Sequence, residues 1–281
     1  MIAAVAGLAR AALVRLLFVV KRIVVLFILL CFASSAAADS WHKGPAGRNR
    51  KLHLVVTLSA GAAYFTTFLL FQDELAPDEC RWCDPPSFDE KVRNSLVWDV
   101  PSRARTGSDI LGIVVIPTLA VAVPNLSLIG SDPGWGDVLD VTLPIAESVL
   151  ATQVLTYFAK SAFGRQRPYV HFDGVRPTMD TTEDNLSHWS GHSSLSFALA
   201  TSAGMVAHMR GMKAEPVVWG VGMTLAATTG YLRIAGDMHY LSDVLVGAAI
   251  GIGAGLTIPR LIEHELAITT AGNNVVLVGQ F

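Results

Sequence analysis

Charge is scarce in this chain. Asp, Glu, Lys and Arg together supply 16% of its 281 residues while 52% are apolar, a balance that argues against a soluble globular domain and for a membrane class. The few charges nearly cancel, to a formal net of −2, and the basic residues form no stripe interleaved with aromatics, which excludes nucleic acid as a partner. Cysteine is scarce too, with three in the chain, and two of them, Cys80 and Cys83, lie in a polar stretch rich in aspartate and proline. A zinc site would need two more thiol or imidazole ligands at comparable spacing, and a thioredoxin-like role would need a strand–helix context; this stretch offers neither. The pair is expected to form a small structural disulfide, which belongs outside the cytoplasm.

Apart from two polar loops, 72–108 and 160–191, apolar runs dominate what is there. Residues 1–38 carry Arg10, Arg15, Lys21 and Arg22, then the apolar run from Ile23 to Phe32, then Ala36-Ala37-Ala38 before Asp39, the pattern of a signal peptide or, uncleaved, of an N-terminal anchor. Six further stretches, roughly 53–71, 109–130, 138–159, 192–210, 216–235 and 243–260, approach or reach the length that crosses a hydrocarbon core at 1.5 Å per residue. Small residues are frequent in the last three, where they let helices approach closely. The expected fold is all-α, a membrane bundle of about six core helices. It divides into N-terminal helices with the Cys80/Cys83 loop over 39–137, a second unit over 138–260, and a tail over 261–281.

Positive charge in the short flanks gives an orientation. Lys43, Arg48, Arg50 and Lys51 before the first stretch, and Arg210 and Lys213 between the fourth and fifth, place those segments in the cytoplasm. The Cys80/Cys83 loop, the polar loop 160–191 and the turn 236–242 then share the outer side. A cleaved leader would instead leave residue 39 outside and invert every span after it.

Three polar clusters border the apolar runs. Lys160-Ser-Ala-Phe-Gly-Arg-Gln-Arg167-Pro168 sets two cations seven positions apart, the second held in extended backbone by its proline; a point charge and a planar fork of donors together suit a phosphate, although both also serve as ordinary helix-end anchors. His188-Trp-Ser190-Gly191-His192 directly precedes an apolar run, with Ser190 placed to cap a helix whose first amides attract anions, Gly191 allowing close approach, and His192 in the first turn. The third cluster holds Arg233, His239 and Asp243. His239 and Asp243 are four apart, the spacing of one helical face, on which the carboxylate would take the proton from one imidazole nitrogen and leave the other as a nucleophile. Ionisable groups at the ends of apolar helices are expensive without a function. Zinc held by His192, His239 and Asp243 is the competing reading, opposed by the neighbouring cations, which repel a metal and attract an anion.

Lys-x6-Arg-Pro, Ser-Gly-His and Arg-x5-His-x3-Asp, in that order, resemble the type 2 phosphatidic acid phosphatase superfamily over roughly 138–260. Two positions depart from its usual pattern: Trp189 stands where proline precedes Ser-Gly-His, and Leu232 where serine precedes the arginine. The resemblance implies a hydrolase of lipid phosphates or pyrophosphates that needs no metal or other cofactor. His239 would attack phosphorus to form a phospho-histidine, with Asp243 holding its tautomer and His192 as general acid and base. Lys160, Arg167, Arg233 and the amides near Ser190 and Gly191 would bind the phosphoryl oxygens. The partners implied are a lipid phosphate and the bilayer, in a bacterial-type inner membrane with the site on the periplasmic or outer face. A soluble periplasmic acid phosphatase of the same superfamily, a vanadium haloperoxidase and a non-catalytic lipid-phosphate binding module are the alternatives.

Overall fold

The computed structural model describes residues 50–129, 134–179, 181–263, 267–271 and 274–278; the expected leader, residues 1–38, lies outside them. In chain order the elements are α1 (Arg50–Leu75), α2 (Ser87–Leu96), α3 (Pro101–Asp109), a π-helical turn (Ile110–Val115), α4 (Ile116–Leu126), α5 (Trp135–Phe163), the single turn α6 (Pro168–His171), α7 (Gly191–Met209), α8 (Glu215–Ala235) and α9 (Leu241–Glu263). A short antiparallel hairpin, β1 (Ala267–Ala271) with β2 (Asn274–Val278), follows where the sequence gives only a tail. Each of the six expected stretches falls on a helix, the second of them only as far as Leu126, with α3, the π turn and α4 forming one continuous rod.

The centre of the bundle is α7, which packs against α4, α5, α8 and α9. Its interior is not purely apolar. Ser193, Ser194, Ser196, Thr201 and Ser202 are all buried, and hydroxyls in such a place are tolerable because helices supply acceptors: Ser194 Oγ lies 3.0 Å from Thr156 Oγ1, and Ser202 Oγ donates to the Leu199 carbonyl. This composition explains why three helices, Pro101–Leu126, Trp135–Phe163 and Leu241–Glu263, are long and apolar enough to cross a membrane while α7 falls short. Enclosed by its neighbours, α7 meets protein where an outer helix meets lipid.

Small residues make the close packing possible. Gly247, Gly251 and Gly255 repeat every fourth residue along the face of α9 that meets α7. A Cβ at Gly247 would lie 2.7 Å from the Ser190 carbonyl, and one at Gly255 2.8 Å from Ser202 N. The glycine seam thus draws the start of α9 against the start of α7, which is where the polar clusters meet.

On the other flank, Arg50 of α1 grips the buried Asp140 of α5 with Nε and Nη2 at 2.8 and 2.7 Å, and His53 pairs with Glu147. The bidentate geometry pins α1 to the bundle.

Candidate active site

The first wall of the site is the end of α5. Lys160 lies in its last turn, and Gly164, with φ of 56°, stops the helix in the left-handed conformation that glycine adopts without strain. Residues 165–167 then run extended. Arg167 N donates to the Asp184 carbonyl and Ser187 N to that of Arg165, while on the other edge Gln166 N donates to Trp82 O. Trp82 sits inside the Cys80–Cys83 disulfide, which is formed as expected, and its ring lies 3.9 Å from the Arg165 guanidinium. The disulfide loop is therefore part of the wall.

Ser190 opens the second wall as the N-cap of α7. Its hydroxyl accepts from Ser193 N, and its amide donates to the Asp243 carbonyl at 3.0 Å. Both polar groups are thus committed internally, and the expectation that the Ser190 amide faces a ligand is corrected: the residue ties α7 to α9 instead. Gly191 is different, because a Cβ there would lie 3.8 Å from Lys160 Nζ, in the space before that cation. The Lys160 ammonium makes no hydrogen bond to another described residue.

The third wall joins α8 to α9. Arg233 closes α8 and directs Nη1 to Ser108 Oγ at 3.0 Å and to Asp109 Oδ1 at 3.1 Å. Leu232, the departure from the usual serine, turns away and packs with Ala104 and Ala235. His239 lies in the turn before α9, two residues short of the helix, so the one-face geometry expected for His239 and Asp243 does not arise. His239 Nδ1 lies 2.8 Å from the Ser187 carbonyl, which can only accept, and 3.7 Å from Asp243 Oδ2. A backbone carbonyl, rather than the carboxylate, takes the proton. Nε2 is thereby left with its lone pair, 3.5 Å from Arg167 Nη1.

Asp243 is fully buried because other donors satisfy it. Oδ1 accepts from Arg165 Nη1 at 2.5 Å and contacts His188 Nδ1 at 3.0 Å; Oδ2 accepts from Ser187 Oγ at 2.6 Å and Tyr240 N at 3.0 Å. Arg165 also binds the buried Asp89 of α2, whose carboxylate in turn accepts from Ser242. Burial pushes the His239 imidazole well below its ordinary value; Asp243 opposes that shift, and Arg167, Arg233 and Lys160 reinforce it.

Two carboxylates stand among the cations. Asp109 Oδ1 lies 2.8 Å from His192 Nε2, at ion-pair distance but off the line of a hydrogen bond, and on the same atom as Arg233. Glu183 Oε2 meets Arg167 Nη2 at 2.7 Å. The Arg167 guanidinium, with Lys160 and Arg233 behind it, holds the Glu183 carboxyl down at about 2 against the effect of burial. The structure thus gathers Lys160, Arg167, Arg233, His192 and His239 at one mouth, with Asp243 behind His239. Asp109, Arg165, Glu183, Asp89 and Ser187 join them without having been singled out in the sequence. Asp109 carried a signal, a charge at the edge of an apolar run; the others lay away from the apolar runs. Among the described residues no three His, Cys, Asp or Glu side chains are grouped to hold a metal ion, so zinc on His192, His239 and Asp243 finds no geometry.

A family model for the PAP2 superfamily matches residues 142–266, the span from α5 to just beyond α9. Over that segment, rather less than half of its length, the chain is similar to the PAP2 superfamily. The lipid A 1-phosphatase of Porphyromonas gingivalis is 32% identical over 142 residues, which cover 50% of this chain and 28% of that protein, so the chain matches well under half of its relative's length. Among solved structures, the transmembrane PAP2-type phosphatidylglycerolphosphate phosphatase of Bacillus subtilis is 20% identical with a TM-score of 0.44, covering 70% of this chain and 92% of that one. Aquifex aeolicus LpxE is 19% identical with a TM-score of 0.38, covering 68% and 94%. The matched segment holds Lys160, Arg167, His192, Arg233, His239 and Asp243, while Asp89 and Asp109 reach it from helices outside the matched span.

Proposed function

We propose that this protein hydrolyses a lipid phosphate or lipid pyrophosphate through a phospho-histidine intermediate, without a metal ion. The observation that carries the reading is the committed tautomer of His239. With Nδ1–H fixed on the Ser187 carbonyl, Nε2 faces Arg167 as a free lone pair inside a cluster of cations. In the first step Nε2 bonds to phosphorus as the bond from phosphorus to the leaving oxygen breaks, and His192 gives that oxygen its proton. In the second, His192 takes a proton from water, whose oxygen displaces the histidine and frees orthophosphate. General acid–base help of this kind contributes about 10²- to 10⁴-fold. Charge on the equatorial oxygens would be held by Lys160, Arg167, Arg233 and the first-turn amides of α7, in the role a metal takes elsewhere.

Three apolar helices favour the membrane enzyme over a soluble acid phosphatase. The disulfide loop hydrogen-bonds to residues 164–166 at the site itself, which favours a site on the oxidising, periplasmic face of a bacterial-type inner membrane. The test is phosphate release in detergent, with excess EDTA, from a panel of phosphatidic acid, phosphatidylglycerol phosphate, a polyprenyl pyrophosphate and a phosphorylated glycolipid. Turnover that survives chelation and disappears in His192→Ala supports the reading, whereas turnover abolished by EDTA alone contradicts it.

A further inference from the structure

The anion site already contains an anion of the protein's own. Glu183 Oε2 takes Arg167 Nη2 and the Glu183 carbonyl takes Arg167 Nε at 2.8 Å, while Nη1 is turned to the Met238 carbonyl and His239 Nε2. No edge of the guanidinium is left for the two-oxygen grip that phosphate requires. Yet the Glu183 side chain is 44% exposed, against 1% for Arg167, and it belongs to the connection between α6 and α7 rather than to a helix. Asp109, the other carboxylate present, is fixed at the end of α3 and holds Arg233. Glu183 is therefore the group able to leave.

We propose that Glu183 is a specificity-determining residue: it occupies the phosphate position on Arg167 and yields it to a phosphomonoester, while excluding phosphodiesters. The inference rests on the phosphatase reading above. Lys160, Arg167 and Arg233 face two carboxylates at the mouth, Glu183 and Asp109, with Asp243 and Asp89 sharing Arg165 behind them. A monoester carries about −1.5 to −2 at neutral pH, so in exchange for Glu183 it gives the mouth cations more negative charge than the carboxylate did. A phosphodiester brings only the single charge that Glu183 already supplies, and it must compete with a tethered group whose effective concentration is on the order of millimolar or more. The bilayer around the site consists largely of phosphodiester lipids. A site built from cations alone would fill with them, and an internal carboxylate prevents that by charge rather than by shape.

The experiment measures inhibition of lipid phosphomonoester turnover by glycerol phosphate, a soluble monoester, and by dimethyl phosphate, a soluble diester, using the full chain in detergent. Titration calorimetry gives the same two affinities without turnover. In the parent, glycerol phosphate binds well and dimethyl phosphate poorly. In Glu183→Gln, dimethyl phosphate gains about tenfold or more and the gap between the two narrows. Glu183→Ala should do the same and supplies the result if the glutamine variant melts early; Glu183→Asp should keep most of the discrimination. An unchanged ratio in both Glu183→Gln and Glu183→Ala overturns the proposal. So does weaker binding of both ligands, since that would make Glu183 a brace for Arg167. A parent that discriminates the two ligands but turns over no lipid phosphate would sink the phosphatase reading alone.

Discussion

His239 Nδ1 donates to the Ser187 carbonyl at 2.8 Å, while Asp243 Oδ2 stands 3.7 Å away, engaged by Ser187 Oγ and Tyr240 N. Asp243 therefore acts on His239 through the 187–190 segment and through its field, more than by a direct bond. That arrangement separates two functions the sequence had joined in one carboxylate.

The first prediction concerns Asp243 as a structural centre. Asp243→Ala removes one of the two carboxylates on the buried Arg165 and the shared acceptor of Ser187 Oγ and Tyr240 N, and leaving such groups unpaired costs about 1–3 kcal/mol. The variant should accordingly melt well below the parent. Thermal unfolding in detergent measures this, and an unchanged melting temperature would show that Asp89 alone suffices for Arg165.

Acid should act through two groups whose losses begin at different pH. His239 has a folded value depressed below its unfolded value of about 6.5, so folding favours the neutral imidazole. Its contribution is intact above about 6.5 and is lost as pH falls through the folded value, and the nucleophile stays unprotonated into mildly acidic solution. Glu183, held at about 2 against an unfolded value of about 4.3, contributes above the latter and loses its contribution as pH falls toward 2. Unfolding monitored against pH should show both losses in the parent, with the one that begins at lower pH diminished in Glu183→Gln.

The bundle was legible in advance because its signal is length. Apolar stretches bounded by polar ones marked each of the long helices, and the small residues frequent in the last three marked them for close packing. Lys160, His192, Arg233 and Asp243 were legible as well, since each sits at the edge of an apolar run, and Arg167 and His239 through their spacing from Lys160 and Asp243. Ser187, Arg165, Asp89 and Glu183 were not, because their importance comes from chain segments meeting in space: residues 165–167 lie between 80–83 and 184–187, and no local pattern announces such pairing. His239 and Asp243 were misjudged in geometry because four-residue spacing was read as helix across a turn that precedes the helix.

The glycine seam yields a contrast within one helix. Gly247→Ala would press a methyl carbon to 2.7 Å from the Ser190 carbonyl and force α9 away from the N-terminus of α7, for a loss of about 1–3 kcal/mol and most of the activity. Gly253 faces open space, and Gly253→Ala should gain about 0.5–1 kcal/mol from the better helix former while leaving turnover unchanged. Melting temperatures and rates of the two variants, measured side by side, check the pair.

Reduction tests the disulfide wall. Cys80 and Cys83 close a very short loop, so the entropic gain is about 2 kcal/mol. The loss on reduction should nevertheless reach the site, because Trp82 covers Arg165 and the 164–166 segment bonds to residues 81 and 82. Cys80→Ser/Cys83→Ser should show a lower kcat as well as a lower Tm; a change in Tm alone would confine the loop to stability.

The most direct test of the account is to trap the covalent intermediate. Protein mixed with a lipid phosphate carrying labelled phosphorus and quenched in alkali should retain label in an acid-labile, base-stable form, mapped to His239 and absent from His239→Ala. Label that persists in His239→Ala, or full turnover by that variant, would contradict the assignment of His239 as the nucleophile.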